Sequence, residues 1–210
     1  MENMQYIENK FNSLASTPCD INEHLPTLYK YASECDSVFE TGVRGVISSW
    51  AFVFGLLNSS GAKGSNKKII LNDIDVCNID ELVQSCNGLP ITISWFWINN
   101  LELDLNESVD LTFIDTWHVY GQLKRELDKF SKITKKYIIM HDTTVDEIYG
   151  ETIRMGMNAY QQSLATGFPM GEINKGLGAA VNEFLENNKD WILKEKFVNN
   201  NGLTVLQRVL

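Results

Sequence analysis

An α/β fold with a mostly parallel sheet, helices on both faces and a closing antiparallel hairpin is predicted by three observations. Apolar runs too short for helices alternate with segments of helical periodicity across residues 37–141. Three of those runs end on an acid, and the first leads into the glycine turn Glu40-Thr-Gly-Val-Arg-Gly45. The last two runs, 191–198 and 203–209, are joined by Asn199-Asn-Asn-Gly202, a hairpin-turn sequence.

The central unit spans residues 109–144. Runs 111–114 and 137–140 are bounded by charged residues and read as buried strands. Between them, residues 119–134 carry Leu123, Leu127, Phe130 and Ile133 at helical spacing, with Lys124, Arg125 and Asp128 on the other side. A right-handed crossover makes the two strands parallel. Asp115 and Asp142 then emerge at one sheet edge, where open α/β folds bind their ligands.

Residues 1–36 hold two weakly amphipathic helical patterns, 4–14 and 21–32, which read as a flank for the sheet. A strand at 37–40 precedes the glycine turn, and a helix at 46–57 follows it. Gly42 and Gly45 let backbone approach a ligand closely, and the helix N-terminus beyond them offers unpaired N–H groups. The second strand, 68–73, ends on Asp73, with Asp75 two residues on; an acid there suits a ribose diol. A short helix at 78–86 and a strand at 89–96 follow. Trp95 and Trp97 at that strand's end could flank an adenine ring or cap the core. Residues 145–175 form a variable stretch, 176–188 a helix, and 58–68 a small polar patch.

The chain has 210 residues, 44% hydrophobic and 21% charged, which suits a single domain over 1–210 with a sizeable core. A net charge of -9 argues against nucleic acid and anionic membranes, whose phosphates need a basic footprint. Cys19, Cys35, Cys77 and Cys86 show no C-x-x-C spacing, and neither a signal peptide nor an apolar run of membrane-spanning length is present. The expectation is reduced thiols in a cytoplasmic protein.

The segments Phe39-Glu-Thr-Gly42, Phe113-Ile-Asp-Thr-Trp-His118, Ile139-Met-His-Asp-Thr143 and Gly202-Leu-Thr-Val-Leu-Gln-Arg208 resemble those of the class I S-adenosylmethionine-dependent methyltransferases. Within that Rossmann-like class they look most like the metal-dependent O-methyltransferases related to cephalosporin-hydroxylase-type, rhamnosyl and macrolide-sugar enzymes. The likeness to the dinucleotide fingerprint is poorer. The resemblance runs over residues 38–208 and implies methyl transfer to a sugar or glycan hydroxyl. Relatives often carry Asp-Gly-x-His where this chain has Asp115-Thr-Trp-His118, and an acid in place of His141.

The expected donor site comprises Glu40, Thr41, Gly42, Gly45, Asp73, Trp95, Trp97 and Asp115. Two converging carboxylates repel unless a proton or a cation lies between them. Asp115, Asp142 and His141 would hold Mg²⁺ or Mn²⁺ and leave positions open for a substrate diol. His118, three residues beyond Asp115, suits a general base. Thr143, Tyr160 and Phe168 complete the expected acceptor site, with 145–175 as its lid; methionines and glycines there supply adaptable surface and movement.

Two other classes stay open. His118, His141 and one aspartate could form a non-haem iron oxygenase site. The domain could also be a non-catalytic nucleotide-binding module of a glycan-synthesis assembly. Its partners would be a small-molecule or glycan acceptor, with homo-oligomerisation or membership of a larger glycosyltransferase polypeptide as further expectations.

Overall fold

The computed structural model describes residues 2–59 and 66–209; residues 60–65 of the expected polar patch lie outside these. A flank of α1 (Glu2–Ser16), a 3₁₀ turn (Asn22–His24) and α2 (Leu25–Ala32) leads into β1 (Ser37–Thr41), α3 (Ile47–Leu57), β2 (Lys67–Asp73), α4 (Asp80–Ser85) and β3 (Ile91–Trp97). Then come β4 (Val109–Ile114), α5 (Tyr120–Phe130) and β5 (Thr134–His141), the short helices α6 (Glu151–Arg154), α7 (Ala159–Thr166) and α8 (Met170–Ile173), and α9 (Leu177–Asn187), β6 (Trp191–Phe197) and β7 (Leu203–Arg208).

The strands form one seven-stranded sheet in the order β3-β2-β1-β4-β5-β7-β6. The first five are parallel; β7 runs antiparallel to β5, and β6 to β7. This is a Rossmann-like α/β architecture.

Strand side chains alternate between two cores, as the pleat requires. Val38, Ile69, Leu71, Leu111, Phe113 and Ile139 pack with the flank helices and α3, whereas Phe39, Ile70, Ile114, Ile138 and Met140 pack with α5 and α9. Helix α3 is apolar almost all round because it lies between the sheet and the flank, and Trp50, Phe52, Val53 and Leu56 are all buried. A Cβ on Gly55 would come within 2.6 Å of both Ala32 Cβ and Tyr29 O, so glycine lets α2 approach α3.

Two boundaries differ from expectation. Helix α5 ends at Phe130, and β5 begins at Thr134 rather than 137. Thr134 is buried, and its hydroxyl donates to Phe130 O, which starts the strand early. Helix α7, within the segment expected to form the acceptor lid, contributes no buried residue. No helix among the described residues is long and apolar enough to cross a membrane.

Candidate active site

Sheet order reverses about β1, which pairs with β2 on one side and β4 on the other. Open α/β sheets carry their ligand crevice at such a switch point. Register aligns Thr41 with both Asn72 and Ile114, and Ile114 with Met140. The residues just after these strands, Gly42, Asp115 and Asp142, therefore share one edge with Asp73 at the end of β2.

A cleft of about 420 Å³ opens there, lined among others by Thr41, Gly42, Asp73, Asp75, Asn99 and Asp115, with Ile74, Val76 and Trp117 as apolar surface. Its size falls within the range of small-molecule sites, about 300–1,000 Å³. Gly42 has φ +89°, and a Cβ on it would overlap the Asp115 carbonyl. Its bareness serves the close approach of β1 to β4. Gly45 lies outside the main cleft and keeps an ordinary φ. Arg44 and Val46 carry positive φ values of 40° and 63°, so the turn's irregular backbone falls on non-glycine residues.

Asp73 anchors that turn. Its Oδ2 accepts from Arg44 N at 2.8 Å and its Oδ1 from Asp75 N at 2.9 Å. Each oxygen keeps a further lone pair for a ligand hydroxyl. Glu40 lies beneath the cleft, fully buried, where Ser48 and Ser49 donate to its two oxygens. Burial pushes its carboxyl up to about 8 despite those two bonds. Trp95 packs against the flank-side core, and Trp97, 64% exposed, donates its ring N–H to Ile74 O. Neither tryptophan lines the cleft.

A buried polar network forms the far wall. Glu126 Oε1 accepts from Asn100, Thr116 and Gln122 at 2.6–2.7 Å. Asn100 also donates to Thr41 Oγ1, which donates to Asn72 Oδ1. Sequence reading missed this set. The available signal was Gln122 and Glu126, one helical turn apart beside the apolar stripe of α5.

The second cluster abuts the cleft. His118 Nε2 lies 3.1 Å from Asp115 Oδ1 and 3.2 Å from Asp142 Oδ2. His141 Nδ1 lies 3.4 Å and 3.3 Å from the same two oxygens. Asp115, His118 and Asp142 could each offer one donor atom to a metal ion, with all three atoms within 4.8 Å of one another. Asp142 reaches in from a left-handed backbone, φ 56°, which an aspartate tolerates better than most residues.

Burial disfavours charge on these rings, yet the carboxylates prevail: His141 is raised to about 10 and His118 well above its ordinary value. Asp115 is raised by burial but driven well below the usual carboxylate range by the two imidazoles. The two imidazoles thus lend the carboxylates positive charge. A divalent cation can take over that role, and the buried Nδ1 of His141, which has no hydrogen-bond partner, is aimed at both aspartates.

Thr143 is buried and bonded to Thr204 by its hydroxyl. Phe168 stacks on Trp117 with centroids 6.1 Å apart and 16° between planes, and Arg125 lies 4.0 Å over its ring. Tyr160 is 59% exposed. Asp146, also missed from the sequence, is fully buried, lies 3.4 Å from His118 Nδ1, and accepts from Arg154 at 2.7 and 2.8 Å. Its signal was its place one turn beyond Asp142.

No family model and no curated protein matches the chain. Solved structures do. A Staphylococcus aureus protein described as a candidate caffeoyl-CoA O-methyltransferase aligns at TM-score 0.60 and 12% identity over 98% of this chain and 92% of its own. The O-methyltransferase TomG of Streptomyces achromogenes, involved in tomaymycin synthesis and solved with S-adenosylmethionine, aligns at 0.55 and 10% over 100% and 90%. An O-methyltransferase of Bacillus cereus, solved with S-adenosylhomocysteine, aligns at 0.54 and 12% over 100% and 91%. At these identities the likeness establishes the fold.

Proposed function

We propose that the chain is an S-adenosylmethionine-dependent O-methyltransferase that needs a divalent cation and acts on a hydroxyl flanked by a second oxygen. One observation carries this reading: Asp115 both lines the 420 Å³ cleft and belongs to the aspartate–histidine cluster. A donor cleft and a cation centre sharing one residue suit transfer of a methyl group to a metal-held oxygen.

Asp73 and Asp75 bind the donor's ribose, the turn after β1 holds its amino-acid end, and Ile74 and Val76 cover its base. Asp115, Asp142 and His141 hold the cation, with His118 beside them at the reacting centre. When bound, the cation lowers the pKa of a coordinated hydroxyl. Trp117 and Phe168 shield the centre from water and orient the acceptor.

The acceptor favoured by the motif resemblance is a sugar or glycan, with a deoxysugar such as rhamnose first. The exposed Ile148, Ile153, Met155, Tyr160 and Leu164 support a second reading, an aromatic diol. Incubation with isotopically labelled donor and both acceptor classes, read by mass spectrometry, tests this. Labelled ether formation that stops with chelator is expected; transfer undiminished by excess chelator contradicts the cation's part.

A further inference from the structure

The aspartate–histidine cluster has more nitrogen in it than a magnesium site tolerates. Its four inner contacts, His118 Nε2 and His141 Nδ1 each to Asp115 Oδ1 and Asp142 Oδ2, all measure 3.1–3.4 Å. Metal–ligand bonds of about 2.1 Å place neighbouring donors about 3.0 Å apart at right angles and about 3.4 Å apart at the tetrahedral angle. Asp115, His118 and Asp142 offer donor atoms within 4.8 Å of one another, and His141 Nδ1 approaches both aspartates to the same spacing.

Each imidazole also has an oxygen on its outer side, hydrogen-bonded to His141 in one case and 3.4 Å from the unbonded Nδ1 of His118 in the other. His141 Nε2 lies 3.1 Å from Asn200 O, so an N–H there donates outward and Nδ1 is the nitrogen that faces the aspartates. The turn holding that carbonyl is rigid: Asn200, Asn201 and Gly202 all have positive φ, and Asn200 binds Glu23 N and Cys19 O through its side chain. His118 Nδ1 faces Asp146 Oδ2, while both oxygens of that aspartate are held by Arg154. Outer acceptors of this kind are the usual support of metal-bound histidines.

Resting on the metal-dependent reading above, we propose that Asp115, His118, His141 and Asp142 are the protein ligands of one first-row transition ion, Mn²⁺, Fe²⁺, Co²⁺ or Zn²⁺, and that the centre discriminates against Mg²⁺. Magnesium binds oxygen donors and keeps several waters, whereas imidazole favours the later ions. His118 is then a ligand, with Asp146 and the Asn200 carbonyl as positioning groups.

The test uses the full chain stripped by chelator and titrated calorimetrically with Mn²⁺, Zn²⁺ or Mg²⁺. One Mn²⁺ or Zn²⁺ per chain, bound at least tenfold more tightly than Mg²⁺, is expected. Pulsed electron paramagnetic resonance of the Mn²⁺-loaded protein should show two imidazole nitrogens, one lost in His118→Asn and the other in His141→Asn. Asp146→Asn should keep both couplings and weaken the metal about 10- to 100-fold. Equal affinity for Mg²⁺, or a His118→Asn protein retaining both nitrogens, overturns the proposal and leaves a cation-dependent enzyme intact. If no divalent ion binds while S-adenosylhomocysteine still does, the cation's part in the function falls as well. The wild-type ion comparison decides the matter even if a variant fails to fold.

Discussion

Gly42 faces the main-chain carbonyl of Asp115 so closely that a Cβ on the glycine would overlap it. The turn after β1 and the acid after β4 are thereby locked together. Gly42→Ala combines that overlap with a φ of +89° and should cost on the order of 3 kcal/mol or more. Gly45→Ala, whose Cβ would meet only Ile47 atoms at 3.7–3.8 Å, should stay within about 0.5 kcal/mol. Chemical denaturation of the two variants checks the contrast; equal stability would contradict it.

Glu40 gives stability a pH dependence. Its carboxyl, at about 8 in the fold, titrates at about 4.3 in an unfolded chain. Between those values the unfolded chain has released the proton that the fold keeps, so this group's contribution falls as pH rises through the window. Glu40→Gln removes that loss. Relative to wild type, the variant should gain on the order of 1 to 4 kcal/mol between pH 5 and pH 8. Thermal melts at several pH values read the difference, and a constant gap would show that Glu40 is ionised throughout.

The segment 145–175 should choose the acceptor. Phe168 supports Trp117, which lines the cleft, and Tyr160 stands free on a helix with no buried residue. Losing one aromatic contact is worth about 0.5–1.5 kcal/mol, so Tyr160→Ala and Phe168→Ala should each raise the acceptor's KM about 2- to 12-fold. Donor affinity and Tm should stay nearly unchanged. Weakened donor binding in either variant would instead assign the segment to the cofactor.

The sheet was legible because its strands are short apolar runs that end at turns, and periodicity registers burial directly. The acids at strand ends were legible for the same reason: Asp73, Asp115 and Asp142 interrupt apolar runs. What pattern could not give is how side chains meet across elements. Trp95 and Trp97 lie two residues apart on β3 and so share a face, but Trp95 packs on the flank-side core whereas Trp97, at the strand's last position, lies beyond that core and away from the cleft. Asn100, Gln122 and Glu126 come from a loop and a helix, and their shared network exists only once β4 and α5 are packed. His118 reads as a free base in sequence; two carboxylates from different loops make it part of the cluster.

Donor binding is the most direct test of the central claim. Calorimetry with S-adenosylhomocysteine should give one saturable site per chain. Asp73→Ala, by losing a charged acceptor worth about 1.5–3 kcal/mol, should weaken that site roughly tenfold or more. No binding to the wild-type chain at millimolar ligand would contradict the account.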